Sequence, residues 1–219
     1  MARILLVHGL GGTAATMRPL ADDLTALGHS TLVLTLPGHG TDPADLATTT
    51  WADWLAAVRT AASDHGTTVI VGQSLGAALA LAAAADGQCA AVVAISTPAA
   101  DPDAIDGLEW RRSRGHEWAD GAPLAEGEEG YDRLPISALL EMTKGVTDTA
   151  LARVTVPVLL VTGALDDTAD PAAADLVAGG LAGPVQRLVL AASGHVVSLG
   201  PERTLLAHSV DTFMCTLGL

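Results

Sequence analysis

Aromatic residues are scarce in this 219-residue chain, where four tryptophans, one tyrosine and one phenylalanine make up 3% of the positions. Because 49% of the residues are nevertheless hydrophobic, Ala, Val and Leu have to build the core. Lysine occurs once, at Lys144, and the formal net charge is −14. Such an acidic surface argues against nucleic acid and anionic membranes as partners. The basic cluster Arg111, Arg112 and Arg114 is too short for a nucleic-acid patch.

Cysteines and long apolar runs are also few. Cys89 and Cys215 are the two cysteines, too few for a disulfide framework, so we expect reduced, buried thiols. No apolar run approaches membrane-spanning length and no leader-like segment precedes the first predicted strand, so we expect a cytoplasmic protein. The acidic run Asp101-Pro102-Asp103 has no histidines beside it. We therefore expect neither a metal site nor a cofactor.

Short runs of apolar and β-branched residues predict six strands, at residues 3–7, 31–36, 67–71, 90–95, 156–162 and 185–190. Helical patterns alternate with them, beginning at Thr13, Trp51, Leu75, Ala172 and about Pro201. Strands that are apolar throughout and alternate with helices predict an α/β fold: a mostly parallel sheet of about six strands with helices on both faces. Ligands of such sheets bind at the carboxyl ends of the strands.

Residues 99–150 break this alternation. Glycine and acidic residues dominate there, and only residues 136–142 have a helical pattern, while residues 42–50 are predicted to be a loop. A stretch of this length predicts an inserted cap within a single domain of residues 1–219. Its main apolar side chains are candidates either to line a substrate pocket or to pin the cap to the sheet: Trp110, Trp118, Leu139, Leu140 and Met142.

The chain's central motif is Gly72-Gln73-Ser74-Leu75-Gly76, between an apolar run and a long Ala/Leu run. This order predicts a strand that bends sharply into a helix, and the two glycines allow the strand and the helix to approach each other at the bend. Ser74 then stands at the tip of the bend with a strained backbone. The pattern is that of a nucleophile elbow, in which the serine hydroxyl attacks the substrate.

A serine nucleophile requires a base, and histidine held by a carboxylate is the usual one. Of the seven histidines, His195 follows the last predicted strand in a glycine-flanked loop at the correct edge of the sheet. The carboxylate is expected in the loop after residues 156–162, where Asp166 and Asp167 are adjacent and only one can point at His195. Asp170, in the same loop, is placed to cap the next helix, and of the adjacent pair we favour Asp166.

Acyl transfer also needs N–H donors for the developing oxyanion. The first is the backbone N–H of Leu75, at the start of the predicted helix. The second is expected from the glycine-rich run His8-Gly9-Leu10-Gly11-Gly12, and we assign it to the N–H of Leu10. A phosphate-binding loop is the alternative for this run, but it lacks the lysine of a P-loop and the G-x-G-x-x-G spacing.

The order Ser74, Asp166, His195 resembles that of the α/β-hydrolases. The resemblance covers nearly the whole chain, in the runs HGLGGT, LPGHGTD, GQSLG, GALDDTADP and SGHVVSLG, and is closest to small bacterial carboxylesterases and monoacylglycerol lipases. It implies that the acid is the aspartate five residues before Pro171, which is Asp166, and that Leu10 is the oxyanion residue. The chain departs from the family in starting at its third strand and in having an acidic, glycine-rich cap, which argues against long-chain lipid substrates.

Three functions follow from these residues. The first is a serine esterase that cleaves short- to medium-chain carboxylic esters, with a small acyl ester as its partner. The second is a thioesterase, lactonase or acyl-transferring cyclase with the same triad, because the acceptor is whichever nucleophile reaches the acyl-enzyme. The third is a ligand-binding protein that has kept the fold without catalysis. The sequence leaves the oligomeric state undetermined.

Overall fold

The computed structural model describes residues 1–124, 127–170 and 172–219. Pro171, next to the predicted acid loop, and Ala125 and Glu126, within the predicted insertion, lie outside the described residues. In the described part of the chain the strands are β1 (Arg3–Val7), β2 (Ser30–Leu34), β3 (Val69–Gln73), β4 (Ala91–Ile95), β5 (Trp118–Asp120), β6 (Arg133–Pro135), β7 (Val158–Gly163) and β8 (Val185–Leu190). The α-helices there are α1 (Ala14–Ala26), α2 (Pro43–Leu46), α3 (Trp51–His65), α4 (Leu75–Ala85), α5 (Pro102–Ser113), α6 (Ile136–Asp148), α7 (Ala173–Gly180) and α8 (Arg203–Thr216).

Six strands form one parallel sheet in the order β2-β1-β3-β4-β7-β8. The central strands β3 and β4 are buried along their whole length, and their sequences are apolar throughout except for Gln73 at the end of β3. Helices cover both faces: α1 and α8 pack on one core cluster, and α3, α4 and α7 pack on the other. The predicted α/β architecture, a mostly parallel sheet of about six strands with helices on both faces, is confirmed.

The caps at the helix ends follow from local sequence. The Thr13 hydroxyl accepts from the N–H of Ala15 at the start of α1. Thr50 and Asp53 form a capping box at the start of α3, which satisfies two donors that the helix leaves unpaired.

Cys89 is buried as expected, but Cys215 is exposed on the last turn of α8, which corrects the prediction of two buried thiols.

The segment between β4 and β7 is more regular than its sequence predicts. It contains α5, the antiparallel hairpin of β5 and β6, and α6, which continues six residues past the predicted end at Met142. Asp101 caps α5 through the N–H of Ala104, and Pro102 occupies the first turn, but α5 has no buried residues and hence no apolar stripe to reveal it. The short helix α2, in the predicted loop 42–50, depends likewise on a capping box, formed by Asp42 and Asp45.

Helix α6 attaches this inserted segment to the rest of the fold. A Cβ at Gly145 would lie 2.0 Å from the ring of Trp51, so glycine is needed for α6 to approach α3. The carboxylate of Glu141 accepts from the N–H of Trp51 at 3.1 Å, and the hydroxyl of Ser137 donates to the carbonyl of Ala47 at 2.9 Å. In the part of the chain that the structure describes, no helix is both long and apolar enough to span a lipid bilayer.

Candidate active site

Ser74 lies at the turn from β3 into α4 with φ 54° and ψ −116°, a backbone conformation that a non-glycine residue rarely adopts. Both glycines of the motif are required by close packing. A Cβ at Gly72 would lie 2.0 Å from the carbonyl oxygen of Gly76, and a Cβ at Gly76 would lie 2.2 Å from that of Val7. The sequence-based expectation of a strained serine on a sharp bend therefore agrees with the geometry of the chain.

Ser74 lines a cavity of about 540 Å³ at the edge of the sheet where the strands have their carboxyl ends. Leu10 and His195 line the same cavity, so residues that follow β1, β3 and β8 meet there. The loop after β1 comes close to the serine because Gly9 has no side chain: a Cβ there would lie 3.2 Å from the Cβ of Ser74.

His195 and Asp166 form a partly buried, hydrogen-bonded pair at this cavity. The Nδ1–H of His195 donates to Asp166, with 2.9 Å to Oδ2 and 3.0 Å to Oδ1. The Asp166 side chain is 3% exposed, and its Oδ1 also accepts from the backbone N–H groups of Thr168 and Ala169. Because Nδ1 carries the proton, the basic nitrogen of His195 is Nε2.

The charge of Asp166 is stabilised despite its burial. Desolvation alone would raise the pKa of its carboxyl, but the hydrogen bonds from His195, Ala169 and Thr168 outweigh it and hold the pKa below the ordinary value. The neighbouring Asp167 lines the cavity and accepts from the hydroxyl of Thr168 at 3.3 Å instead. Of the two adjacent aspartates, Asp166 is therefore the one bonded to His195.

Three polar side chains that the sequence reasoning did not single out hold the loop of His195. Ser96 follows β4 and has a φ of 48°. Its hydroxyl donates to the carbonyl oxygen of His195 at 3.0 Å. Gln73 is buried and its Oε1 accepts from the N–H of Ser198 at 3.1 Å. Glu202 accepts from the N–H of Ala192. Only Gln73 carried a signal in the sequence, as a polar residue at the end of an apolar strand.

The two expected oxyanion donors occupy the predicted elements. Leu75 is the first residue of α4, where N–H groups lack partners within the helix. Leu10 lies in the loop after β1, next to Gly11 at φ 78°. His8 supports this loop from inside the protein: its Nδ1 donates to Gly9 O at 2.8 Å and its Nε2 accepts from the N–H of Leu36 at 3.1 Å.

His8 is neutral under ordinary conditions. Burial, aided by the nearby His39, lowers the pKa of its imidazole to about 3. Of the histidines on this edge of the sheet, His8 and His39 are thus packed within the loops, whereas His195 lines the cavity.

Of the five apolar residues proposed for the pocket, Leu139 and Met142 line the cavity of Ser74. The other three do not line this cavity. Leu140, only 2% exposed, packs in a small cluster inside the insertion with Ala119 and Ile136. Trp110 is 59% exposed under the guanidinium of Arg114, and Trp118 lies against Arg133 beside a different cavity. Leu140 lies on a different face of α6 from Leu139, whereas the faces of Trp110 and Trp118 could not be assigned while α5 and the hairpin were unrecognised. Lining side chains that the sequence reasoning did not name include Leu124, Tyr131, Leu134, Leu165, Val196 and Leu199.

Comparison with known proteins agrees with this architecture. A thermostable monoacylglycerol lipase from Bacillus sp. (strain H-257) is 29% identical over 218 residues, covering 93% of this chain and 86% of that protein. A solved structure from work on LipS and LipT, two metagenome-derived lipolytic enzymes, superposes with a TM-score of 0.88 at 26% identity, covering 98% of this chain and 93% of the other. The monoacylglycerol lipase of Paleococcus ferrophilus has the same fold, with a TM-score of 0.77 at 17% identity, over 98% and 94% of the two chains.

A model of the alpha/beta hydrolase family matches residues 4–207, which contain seven of the eight described strands and seven of the eight described helices completely, with all of β1 except Arg3. With the parallel sheet, the strained turn at Ser74 and relatives described as lipases, this match shows that the chain belongs to the alpha/beta hydrolase family.

Proposed function

We propose that the protein is a serine hydrolase that cleaves short- to medium-chain carboxylic esters through an acyl-enzyme intermediate. The observation that carries the proposal is the convergence of Ser74, His195 and the loop of Leu10 on one cavity, with Asp166 bonded to the Nδ1 of His195. A hydroxyl, a neutral imidazole with a basic Nε2 and an orienting carboxylate are the groups that acyl transfer requires.

In the proposed reaction the Oγ of Ser74 attacks the ester carbonyl carbon while Nε2 of His195 takes the hydroxyl proton. The tetrahedral oxyanion accepts from the backbone N–H groups of Leu10 and Leu75. The intermediate collapses, the C–O bond to the alcohol breaks, and His195 returns its proton to the leaving oxygen. Water then repeats the sequence on the acyl-enzyme, which releases the carboxylic acid and regenerates Ser74.

The same geometry supports a role for the insertion as a cap within a single domain of residues 1–219. Leu139 and Met142 of α6, with Leu134 of β6 and Tyr131 just before it, form apolar wall of the cavity that contains Ser74. In the proposed arrangement these side chains contact the acyl chain. Since each buried methylene contributes only about 0.8 kcal/mol, we expect the acyl chain to gain affinity only over the length that the cavity of about 540 Å³ encloses, about four to eight carbons.

A series of p-nitrophenyl esters from two to sixteen carbons tests the proposal, with acyl thioesters of matched length run beside it. We expect kcat/KM to peak at about four to eight carbons and to be lost in Ser74→Ala. A rate that still rises at sixteen carbons would refute the short acyl site. If thioesters are hydrolysed much faster than esters, the result would favour the thioesterase alternative. Monoacylglycerols are included in the panel because a relative is described as a monoacylglycerol lipase.

A further inference from the structure

The insertion touches the loop of Leu10 directly, through its own backbone. The N–H of Tyr131 donates to the carbonyl oxygen of Gly11 at 2.9 Å, and Gly130 and Gly12 form an isolated antiparallel bridge. Gly130 and Tyr131 therefore pair through their backbone with the loop that carries the Leu10 N–H, as a short added strand would.

This contact has no room for side chains at its centre. A Cβ at Gly130 would lie 2.9 Å from the carbonyl oxygen of Gly11, and a Cβ at Gly11 would lie 2.7 Å from Cδ2 of Leu134. Gly11 also needs its left-handed φ of 78°. The fit between the insertion and the loop is therefore as close as two backbones allow.

The side chain of Tyr131 makes a second connection on the same side of the cavity. Its hydroxyl donates to the carbonyl of Gly38 at 3.2 Å and accepts from the N–H of Thr41 at 3.1 Å. Its ring stacks on His39 with the ring centroids 6.4 Å apart and the planes 8° from parallel. Tyr131 is thus bonded to the loops after β1 and after β2.

His39 links Tyr131, through His8, to Gly9, the residue before Leu10. Its ring meets that of His8 edge-on at a centroid distance of 4.9 Å, and Nδ1 of His8 donates to the carbonyl oxygen of Gly9. The peptide of Leu10 is consequently held on one flank through Gly9 and on the other through Gly11. Both supports lead to Tyr131.

We propose that Gly130 and Tyr131 position the oxyanion hole: the insertion fixes the Leu10 N–H and so controls the rate of acyl transfer, besides covering the substrate. This inference rests on the proposed function. Because the oxyanion exists only in the transition state and the intermediates, displacing its donor lowers kcat more than it raises KM. Gly130 and Tyr131 are positioning residues that act through Leu10.

The first test is Gly130→Ala, with Gly107→Ala as its matched control. Both glycines belong to the insertion and neither has a left-handed φ, but a Cβ at Gly107 meets nothing within 4 Å. The Cβ at Gly130 has to move by about 0.5 Å to reach ordinary contact with Gly11 O, and misplacement by 1 Å can cost about 100-fold. We expect kcat for p-nitrophenyl butyrate to fall about tenfold in Gly130→Ala, with KM changed less than about twofold, and no change in Gly107→Ala.

The second test, Tyr131→Phe, keeps the ring on His39 and removes both hydroxyl bonds. We expect kcat to fall about threefold to tenfold. A trifluoromethyl ketone of matched chain length, which forms a tetrahedral adduct with a reactive serine, should lose affinity in each variant by the same factor as kcat/KM, whereas a ground-state amide analogue should not. A purely structural role of the insertion would not produce this difference between the two inhibitors.

Every result of these two tests either supports or overturns the positioning role of Gly130 and Tyr131. If Gly130→Ala does not fold, Tyr131→Phe alone carries the test. An active wild-type enzyme with unchanged kcat in the folded variants would overturn the inference, and so would a rise in KM alone or equal losses for both inhibitors. If the wild-type protein hydrolyses no ester, the proposed function fails first, and this failure is distinct from that of the positioning role.

Discussion

Replacing Asp166 by asparagine tests the orienting carboxylate without changing its shape. Oδ1 of Asp166 accepts from the N–H groups of Thr168 and Ala169, and Oδ2 makes the shorter contact to Nδ1 of His195. An asparagine whose oxygen keeps both backbone bonds has to present its NH₂ to Nδ1. Two donors then face each other, so His195 adopts the tautomer with the proton on Nε2, which cannot take the proton of Ser74.

We therefore expect Asp166→Asn to lower kcat by about four powers of ten, equivalent to about 5.5 kcal/mol of barrier, while the fold persists. Asp167→Asn is the matched control, with a loss of about threefold or less, since Asp167 accepts from the hydroxyl of Thr168 and not from His195. The assay is steady-state hydrolysis of p-nitrophenyl butyrate, with thermal unfolding to verify the fold. Equal losses, or a larger loss at Asp167, would refute the assignment.

Three further predictions concern packing, pH and the cavity. Gly76→Ala would press a methyl group against Val7 O, 2.2 Å away, so we expect a loss of about 3 kcal/mol or more in urea unfolding; an unchanged midpoint would contradict the described bend. Since folded His8 stays neutral down to about pH 3 while unfolded histidine binds a proton below about pH 6.5, the free energy of unfolding should fall on acidification across that range by up to about 1.4 kcal/mol per pH unit; unfolding measurements from pH 7 to pH 4 that show no loss would contradict this. Leu139→Ala should shift the chain-length optimum of ester hydrolysis upwards, whereas Leu140→Ala should leave it unchanged and cost about 2 kcal/mol of stability; the opposite pattern would exchange their roles.

The parallel sheet and the turn at Ser74 could be predicted because their signals are local. Strands buried on both faces are continuous apolar runs. Gly72 is required where β3 approaches α4, and Gly76 is required where α4 approaches the carbonyl oxygen of Val7 in β1. His195 could be chosen because it is the histidine that follows the last strand. Asp166 and Asp167 could not be separated by the residues alone, since the choice depends on which backbone N–H groups turn towards Oδ1.

The inserted segment was the least predictable part of the chain. Helix α5 depends on Asp101 and Pro102 at its start and has no buried face, so it lacks the periodicity that reveals most helices. The bond from Tyr131 to Gly11 joins residues 120 positions apart, and nothing in either local sequence indicates it. Trp110 shows the same limit: its size favoured burial, but an exposed helix leaves it in solvent beside Arg114.

The most direct test of the central claim is to label the purified protein with a fluorophosphonate probe and to locate the adduct by peptide mass spectrometry. Such a probe phosphonylates a serine whose hydroxyl is activated by a neighbouring base. We predict a single adduct on Ser74, slowed strongly in Asp166→Asn and absent in Ser74→Ala. An adduct on another residue, or none on a wild-type protein that hydrolyses esters, would contradict the assignment of Ser74 as the nucleophile.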